Sequence, residues 1–135
     1  LATVLLLWLG LANAQAPYIR SVVCVGMSTA GNTDCVIEIT GVSLTETATV
    51  SASYGPSGIF TASNCRVTLQ QSRITCQSAP GVGGPHQWIV IVNGIASLPS
   101  AQTTSYLPPA IAAVSIAGAS LSTLGGDQVT KIGRA

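Results

Sequence analysis

Residues 65–84 read CRVTLQQSRITCQSAPGVGG, and two short runs inside them, Arg66-Val67-Thr68-Leu69 and Arg73-Ile74-Thr75-Cys76, alternate polar and apolar side chains. Successive side chains of a strand point to opposite faces, so each run buries one side and wets the other. The two runs form a β-hairpin flanked by Cys65 and Cys76, with Cys76 in phase with Ile74 on the inward face. A proline and a glycine cluster then lead into Trp88-Ile89-Val90-Ile91-Val92, apolar at successive positions and expected to be a strand buried on both sides. A cysteine-flanked hairpin feeding such a strand is a scaffold feature of a β-sandwich.

Working outward, residues 19–25 form a first strand, entered from Pro17, and Met27-Ser28-Thr29-Ala30-Gly31-Asn32-Thr33-Asp34 is turn-like. Cys35-Val36-Ile37-Glu38-Ile39 is a second strand closed by Gly41. Thr49-Val50-Ser51-Ala52-Ser53-Tyr54 puts Val50, Ala52 and Tyr54 on one face and ends at Gly55-Pro56-Ser57-Gly58. Thr103-Thr104-Ser105-Tyr106 is expected as a last edge strand. About seven short strands with turn signals between them predict an all-β chain folded as a β-sandwich.

Only 7% of residues are charged, the net charge is +1 and no basic cluster exists, so nucleic acid and acidic membrane surfaces have no electrostatic footprint. Leu5-Leu6-Leu7-Trp8-Leu9 followed by Ala12-Asn13-Ala14 has the apolar core and small-residue cleavage site of a truncated signal peptide, residues 1–14, cleaved after Ala14 or after Ala16. The apolar stretch is shorter than the roughly 20 residues that span a bilayer. Both ends read as cut, and the rest of the chain is expected in an oxidising, extracellular setting, with membrane attachment only through sequence downstream of this chain. One small β-domain fits the remaining length.

The chain then restarts. Pro109, Ile111, Val114, Gly118, Ser120, Val129 and Gly133 match Pro17, Ile19, Val22, Gly26, Ser28, Ile37 and Gly41, each pair 92 positions apart. A constant offset points to a tandem array, with one module at residues 17–107 and the start of a second at 108–135.

Taken together, Pro17-x-Ile19-x-x-Val22, Val36-Ile37-Glu38-Ile39-Thr40-Gly41, Cys65, Ile74-Thr75-Cys76, Pro80-Gly81-Val82-Gly83-Gly84 and Ile89-Val90-Ile91-Val92 resemble an IPT/TIG domain, the immunoglobulin-like module of plexins, related receptors and some transcription factors. Leu124-Gly125-Gly126-Asp127 before Val129 looks like the opening of the next such module. The first module departs from the pattern in having Asn32-Thr33-Asp34 in place of paired glycines, and Leu44 where a phenylalanine is common.

Four cysteines allow three pairings, which sequence alone does not settle. Cys24 and Cys35 are 11 apart, as are Cys65 and Cys76, so the preferred pairs are local, Cys24–Cys35 and Cys65–Cys76. Free thiols and a zinc site are the alternatives, zinc being disfavoured by the wide spacing and a single histidine.

Candidate chemistry is sparse. His86, between Pro85 and Gln87, has no nucleophile motif around it and reads as a solvated loop residue. Asp34, Glu38, Glu46 and Asp127 are scattered and read as solvated strand-edge charges rather than a paired-carboxylate site. Gly81-Val82-Gly83-Gly84 lacks the Lys-Ser/Thr of a phosphate loop and reads as a turn. Gly31-Asn32-Thr33-Asp34 offers too few oxygens for more than a weak calcium site, and Trp88 and Tyr54 read as packing residues. No catalytic, cofactor-binding or metal-binding residue is expected.

The resemblance implies a non-catalytic recognition, adhesion or spacer module of a cell-surface or secreted repeat protein, with a protein or glycan partner. An accessory domain of a secreted carbohydrate-active enzyme is the alternative. A nuclear DNA-binding module is opposed by the leader, the cysteines and the lack of a basic patch.

Overall fold

The computed structural model of the protein describes residues 15–111, 113–116 and 129–132. The leader at residues 1–14, Asp127 and most of the 108–135 segment lie outside the described residues.

Eight strands build two four-stranded antiparallel sheets: β1 (Tyr18–Cys24), β2 (Asp34–Thr40), β3 (Val50–Tyr54), β4 (Phe60–Thr61), β5 (Ser63–Leu69), β6 (Arg73–Gln77), β7 (Trp88–Val92) and β8 (Ile95–Ala96). The first sheet has the order β1-β2-β6-β5 and the second β4-β3-β7-β8. Their inner faces share one core, with Ile37, Ile39 and Ile74 from the first packed with Ala52, Tyr54, Trp88, Val90 and Val92 from the second. This is a β-sandwich of the immunoglobulin-like kind. The chain changes sheets at Ala62, between β4 and β5, where its N–H bonds Ala52 O at 3.0 Å.

The quoted hairpin forms as β5–β6, and β5 is bent by irregularities on both sides of Arg66-Val67, which blunt an edge strand. In β3, Ala52 and Tyr54 are buried and Val50 is half-buried on the same face. Leu44, which stands at the position of the missing phenylalanine, is fully buried.

Two expectations are corrected here. β7 is not buried on both sides: Trp88, Val90 and Val92 point inward, Ile89 is half-buried and Ile91 is 38% exposed. Each sheet of a two-layer sandwich has only one covered face, so an unbroken apolar run can still present half its side chains outward. Nor is residues 103–106 an edge strand; only Thr104 makes a bridge, to His86.

The edge beside β7 is instead closed by hydroxyls. Ser97 N–H donates to Val90 O at 2.8 Å while its Oγ accepts from Val90 N–H at 3.0 Å. Ser100 does the same to Trp88, at 2.8 and 2.9 Å. His86 and Thr104 then exchange both backbone bonds. The two-residue β8 is thus extended by side chains that satisfy buried N–H groups without presenting a further ladder.

A separate two-stranded ribbon pairs β9 (Ala113–Ile116) with β10 (Val129–Ile132). Both strands fall where an offset of 92 carries β1 and β2. The register differs, because Val22 faces Ile37 whereas Val114 faces Lys131 and Val129 faces Ile116. The second pairing is therefore shifted by two residues from the ungapped match.

The path of the chain gives the sandwich two poles. Ala16 lies beside Gly41 at the pole where β1 begins. At the other end of β1, Leu107 N–H bonds Met27 O at 2.9 Å as the chain leaves. The seven residues of β1, at about 3.3 Å each, separate the two by roughly 20 Å.

Candidate functional site

Cysteines occupy one row across the first sheet. Cys24 faces Cys35, Cys35 faces Cys76, and the structure bonds Cys24 to Cys35 and Cys65 to Cys76. The Cα atoms of the bonded pairs lie 4.3 and 4.0 Å apart. That spacing belongs to non-hydrogen-bonded partners, whose N–H and C=O groups point away from each other. Cys35 and Cys76 accordingly direct their backbone groups at one another. The row runs bridge, backbone bonds, bridge from one edge of the sheet to the other. Cys35 and Cys76 are fully buried, and two disulfides are compatible with an oxidising, extracellular location.

The same pole carries an aromatic cluster in which His86 is a full member, and this corrects its reading as a solvated residue. His86 is 6% exposed, with ring centroids of Phe60, Tyr106 and Tyr54 at 5.2, 5.8 and 6.1 Å. Its Nε2 donates to Val82 O at 3.2 Å and Nδ1 is buried without a partner. Sequence could not show this, because the rings around His86 arrive from three distant segments. Tyr54 and Tyr106 close a cycle on Ala79: its N–H donates to Tyr54 Oη at 2.8 Å, the two hydroxyls bond at 2.6 Å, and Tyr106 Oη donates to Ala79 O at 2.7 Å. Burial, and then the bond to Tyr54, push the Tyr106 phenol well above its usual range. No carboxylate belongs to this cluster, so His86 has neither an orienting acid nor a hydroxyl partner for nucleophilic catalysis.

The acids stay apart. Asp34 and Glu38 share the outer face of β2 four residues from each other, about 13 Å along a strand and beyond the separations of paired-carboxylate hydrolases. Glu46 lies in the turn after β2 and is exposed. Glu38 is mid-strand rather than at a strand edge, and Arg73 Nη2 donates to it at 3.0 Å. That bond, against the opposing effect of burial and with the charge of Arg73, the Ser21 hydroxyl and the charge of Arg20, holds the carboxyl below its usual range. Because the folded value is the lower one, the pair adds stability above the unfolded carboxylate range and loses it as pH falls through the folded value. In urea unfolding, the stability difference between wild type and Glu38→Gln is expected to be small at pH 7, to shrink as pH falls towards 2, and to shrink also with added salt.

The glycine-rich segments act as loops. Gly31, at φ 83°, lies so close to Ser78, Ala79 and Pro80 that a Cβ would stand 2.8 Å from Pro80 N. Asn32 N–H bonds Ser78 O, and the Thr33 hydroxyl accepts from Ser28 N–H, so this turn is tied to the core rather than opened to a cation. Gly83 and Gly84 both have positive φ and no helix follows them. Among the described residues no group of three or more His, Cys, Asp or Glu could hold a metal ion.

Two open grooves mark the surface. One of about 590 Å³ lies at the pole where the chain enters, lined by Gln15, Gly41, Gln71 and Asn93 among others. The second, about 470 Å³, runs between the Gly55–Gly58 turn and the Pro85–Gln87 segment. Neither is lined by a charged residue.

Charge is divided between the sheets. Arg20, Asp34, Glu38, Arg66 and Arg73 all belong to the first sheet and Glu46 to the turn after β2, whereas residues 47–65 and 74–126 contain no Asp, Glu, Lys or Arg. The second sheet is therefore uncharged throughout. Comparison with known proteins adds no relative, since no family model, curated protein or solved structure matches the chain.

Proposed function

We propose that the chain is a non-catalytic extracellular module of a tandem array, of the IPT/TIG-like kind, serving recognition, adhesion or the spacing of a binding head. The observation that carries this reading is the opposed position of its ends: the chain enters beside Gly41 and leaves beside Met27, at opposite poles. A module threaded this way can be strung end to end, and Pro108-Pro109 after Leu107 makes a short, semi-rigid linker to the β9–β10 ribbon. Two cross-strand disulfides suit such a small sandwich outside the cell.

The glycan-binding alternative calls for exposed, coplanar aromatic rings. Tyr54, Trp88 and Tyr106 are buried and Phe60 is partly buried, which leaves Tyr18 as the exposed aromatic side chain among the described residues. That distribution favours a protein partner.

Expression behind a complete secretory leader in cultured cells tests the reading. Release into the medium with both bridges formed, and binding of the tetramerised product to intact cells that trypsin abolishes, would support it. Retention of a reduced chain inside the cell would sink it, and binding on a glycan array would transfer the proposal to the accessory-domain alternative.

A further inference from the structure

Both ends of the cysteine row reach the rim of the first sheet. Strands β1 and β5 are its edges. Cys24 and Cys65, which they carry, are half-buried, whereas Cys35 and Cys76 between them are fully buried. Register and bridges set the four in the order Cys24, Cys35, Cys76, Cys65 across the sheet. Facing residues of neighbouring strands share a face, so Cys35 and Cys76 stand side by side inside the sandwich although no bridge joins them. Hydrogen-bonded partners lie about 5.5 Å apart between Cα atoms, within the roughly 4.4–6.8 Å that a disulfide spans. The same four cysteines therefore fit a second oxidised arrangement, with one bridge at the centre and a thiol at each edge.

Disulfide exchange is a displacement at sulfur: a thiolate attacks one sulfur of a bridge and the other leaves on the far side. From either rim the row supplies that order twice. A low-molecular-weight thiolate that attacks Cys24 Sγ forms a mixed disulfide there and releases Cys35 as a thiolate. Cys35 then has Cys76 beside it and Cys65 beyond. Attack at Cys76 Sγ forms the Cys35–Cys76 bond, breaks Cys65–Cys76 and leaves the charge on Cys65. Burial disfavours a thiolate at Cys35, so this step carries the charge out of the core to the half-buried rim. A second small thiol clears Cys24 as a small disulfide. In sum, two small thiols are oxidised to one disulfide, and their protons pass to Cys24 and Cys65, which end reduced.

We propose that the cysteine row is a thiol relay, in which a small thiol taken up at one edge of the first sheet frees a cysteine at the other, three strand spacings or about 14 Å away. Cys24 and Cys65 are then sites of covalent modification on opposite edges of the sandwich. The relay does not depend on what the module recognises.

Titration of the folded protein with reduced glutathione, quenched by alkylation and followed by mass mapping, tests the proposal. The first cysteines to open are expected to be Cys24 and Cys65, free or as glutathione adducts, with Cys35 and Cys76 joined in the same molecules. Labelling that pairs Cys24 with Cys35 or Cys65 with Cys76, and never shows a Cys35–Cys76 bond, overturns the proposal. So does a protein whose bridges glutathione opens only once it unfolds. The double variant Cys24→Ser with Cys65→Ser tests the central bond by itself. Under glutathione disulfide it is expected to become a monomer with no free thiol, and a folded monomer that keeps both thiols free overturns the proposal as well. If the double variant does not fold, the titration of the wild type decides alone.

Discussion

Trp88→Ala is expected to cost about 3–5 kcal/mol, the range for removing a large aromatic side chain from a packed core. The indole is fully buried, stacks on Tyr54 at a centroid distance of 4.2 Å and donates from Nε1 to Thr104 Oγ1 at 2.8 Å. Truncation opens a cavity between the sheets and leaves the Thr104 hydroxyl buried without its donor. Trp88 also sits where Ser100 brackets β7, so the loss spreads to the edge closure. Thermal melts should show a drop of more than about 10 °C, with Trp88→Phe intermediate, since it keeps the ring stack and gives up only the Nε1 bond and part of the volume. An Ala variant within about 1 kcal/mol of wild type would mean that the two sheets are not clamped at this point.

Removal of the bridges is expected to have a comparable effect. Each closes a separation of 11 residues, for which loop entropy gives about 2–3 kcal/mol. Replacing Cys24 and Cys35 together by alanine, or Cys65 and Cys76 together, should lower stability by about that amount in urea unfolding. Reducing both bridges removes about 5 kcal/mol from a domain whose class totals about 5–15, so the reduced protein should unfold at far lower denaturant. The two pairs are not independent. Cys35 and Cys76 are direct neighbours across β2 and β6, and adjoining sites depart from additivity. A reduced protein with an unchanged urea midpoint would show that hydrogen bonding alone holds the row.

The hairpin at residues 65–76 could be read from its alternation, because Cys65 and Val67 of β5 are half-buried between exposed neighbours and the phase of Cys76 with Ile74 survives folding, although Thr75 between them is buried as well. The face of β3 was legible for the same reason. Ile89 and Ile91 defeated that logic: both are apolar, and only the assembled sandwich shows that one face of β7 has no sheet over it. β4 and β8 are two residues each, too short for any period to register. The closure by Ser97 and Ser100 is a tertiary event built from side chains that in sequence look like loop. His86 was misjudged because its neighbours, Phe60 and Tyr106, are far from it along the chain. Of the site, the cysteine spacing was legible in the sequence.

The cysteine row has a mechanical consequence. A pull on the two poles enters through the start of β1 and runs along that strand, so its bonds to β2 are loaded side by side in shear rather than opened one at a time. Strand β1 can slip or fray only as far as Cys24 before the tension meets a covalent bond to β2, at the level where Cys35 and Cys76 are joined across the sheet's centre. The bridges act as a travel stop: whatever length this sandwich gives up under load, the end from which the chain leaves stays tied together.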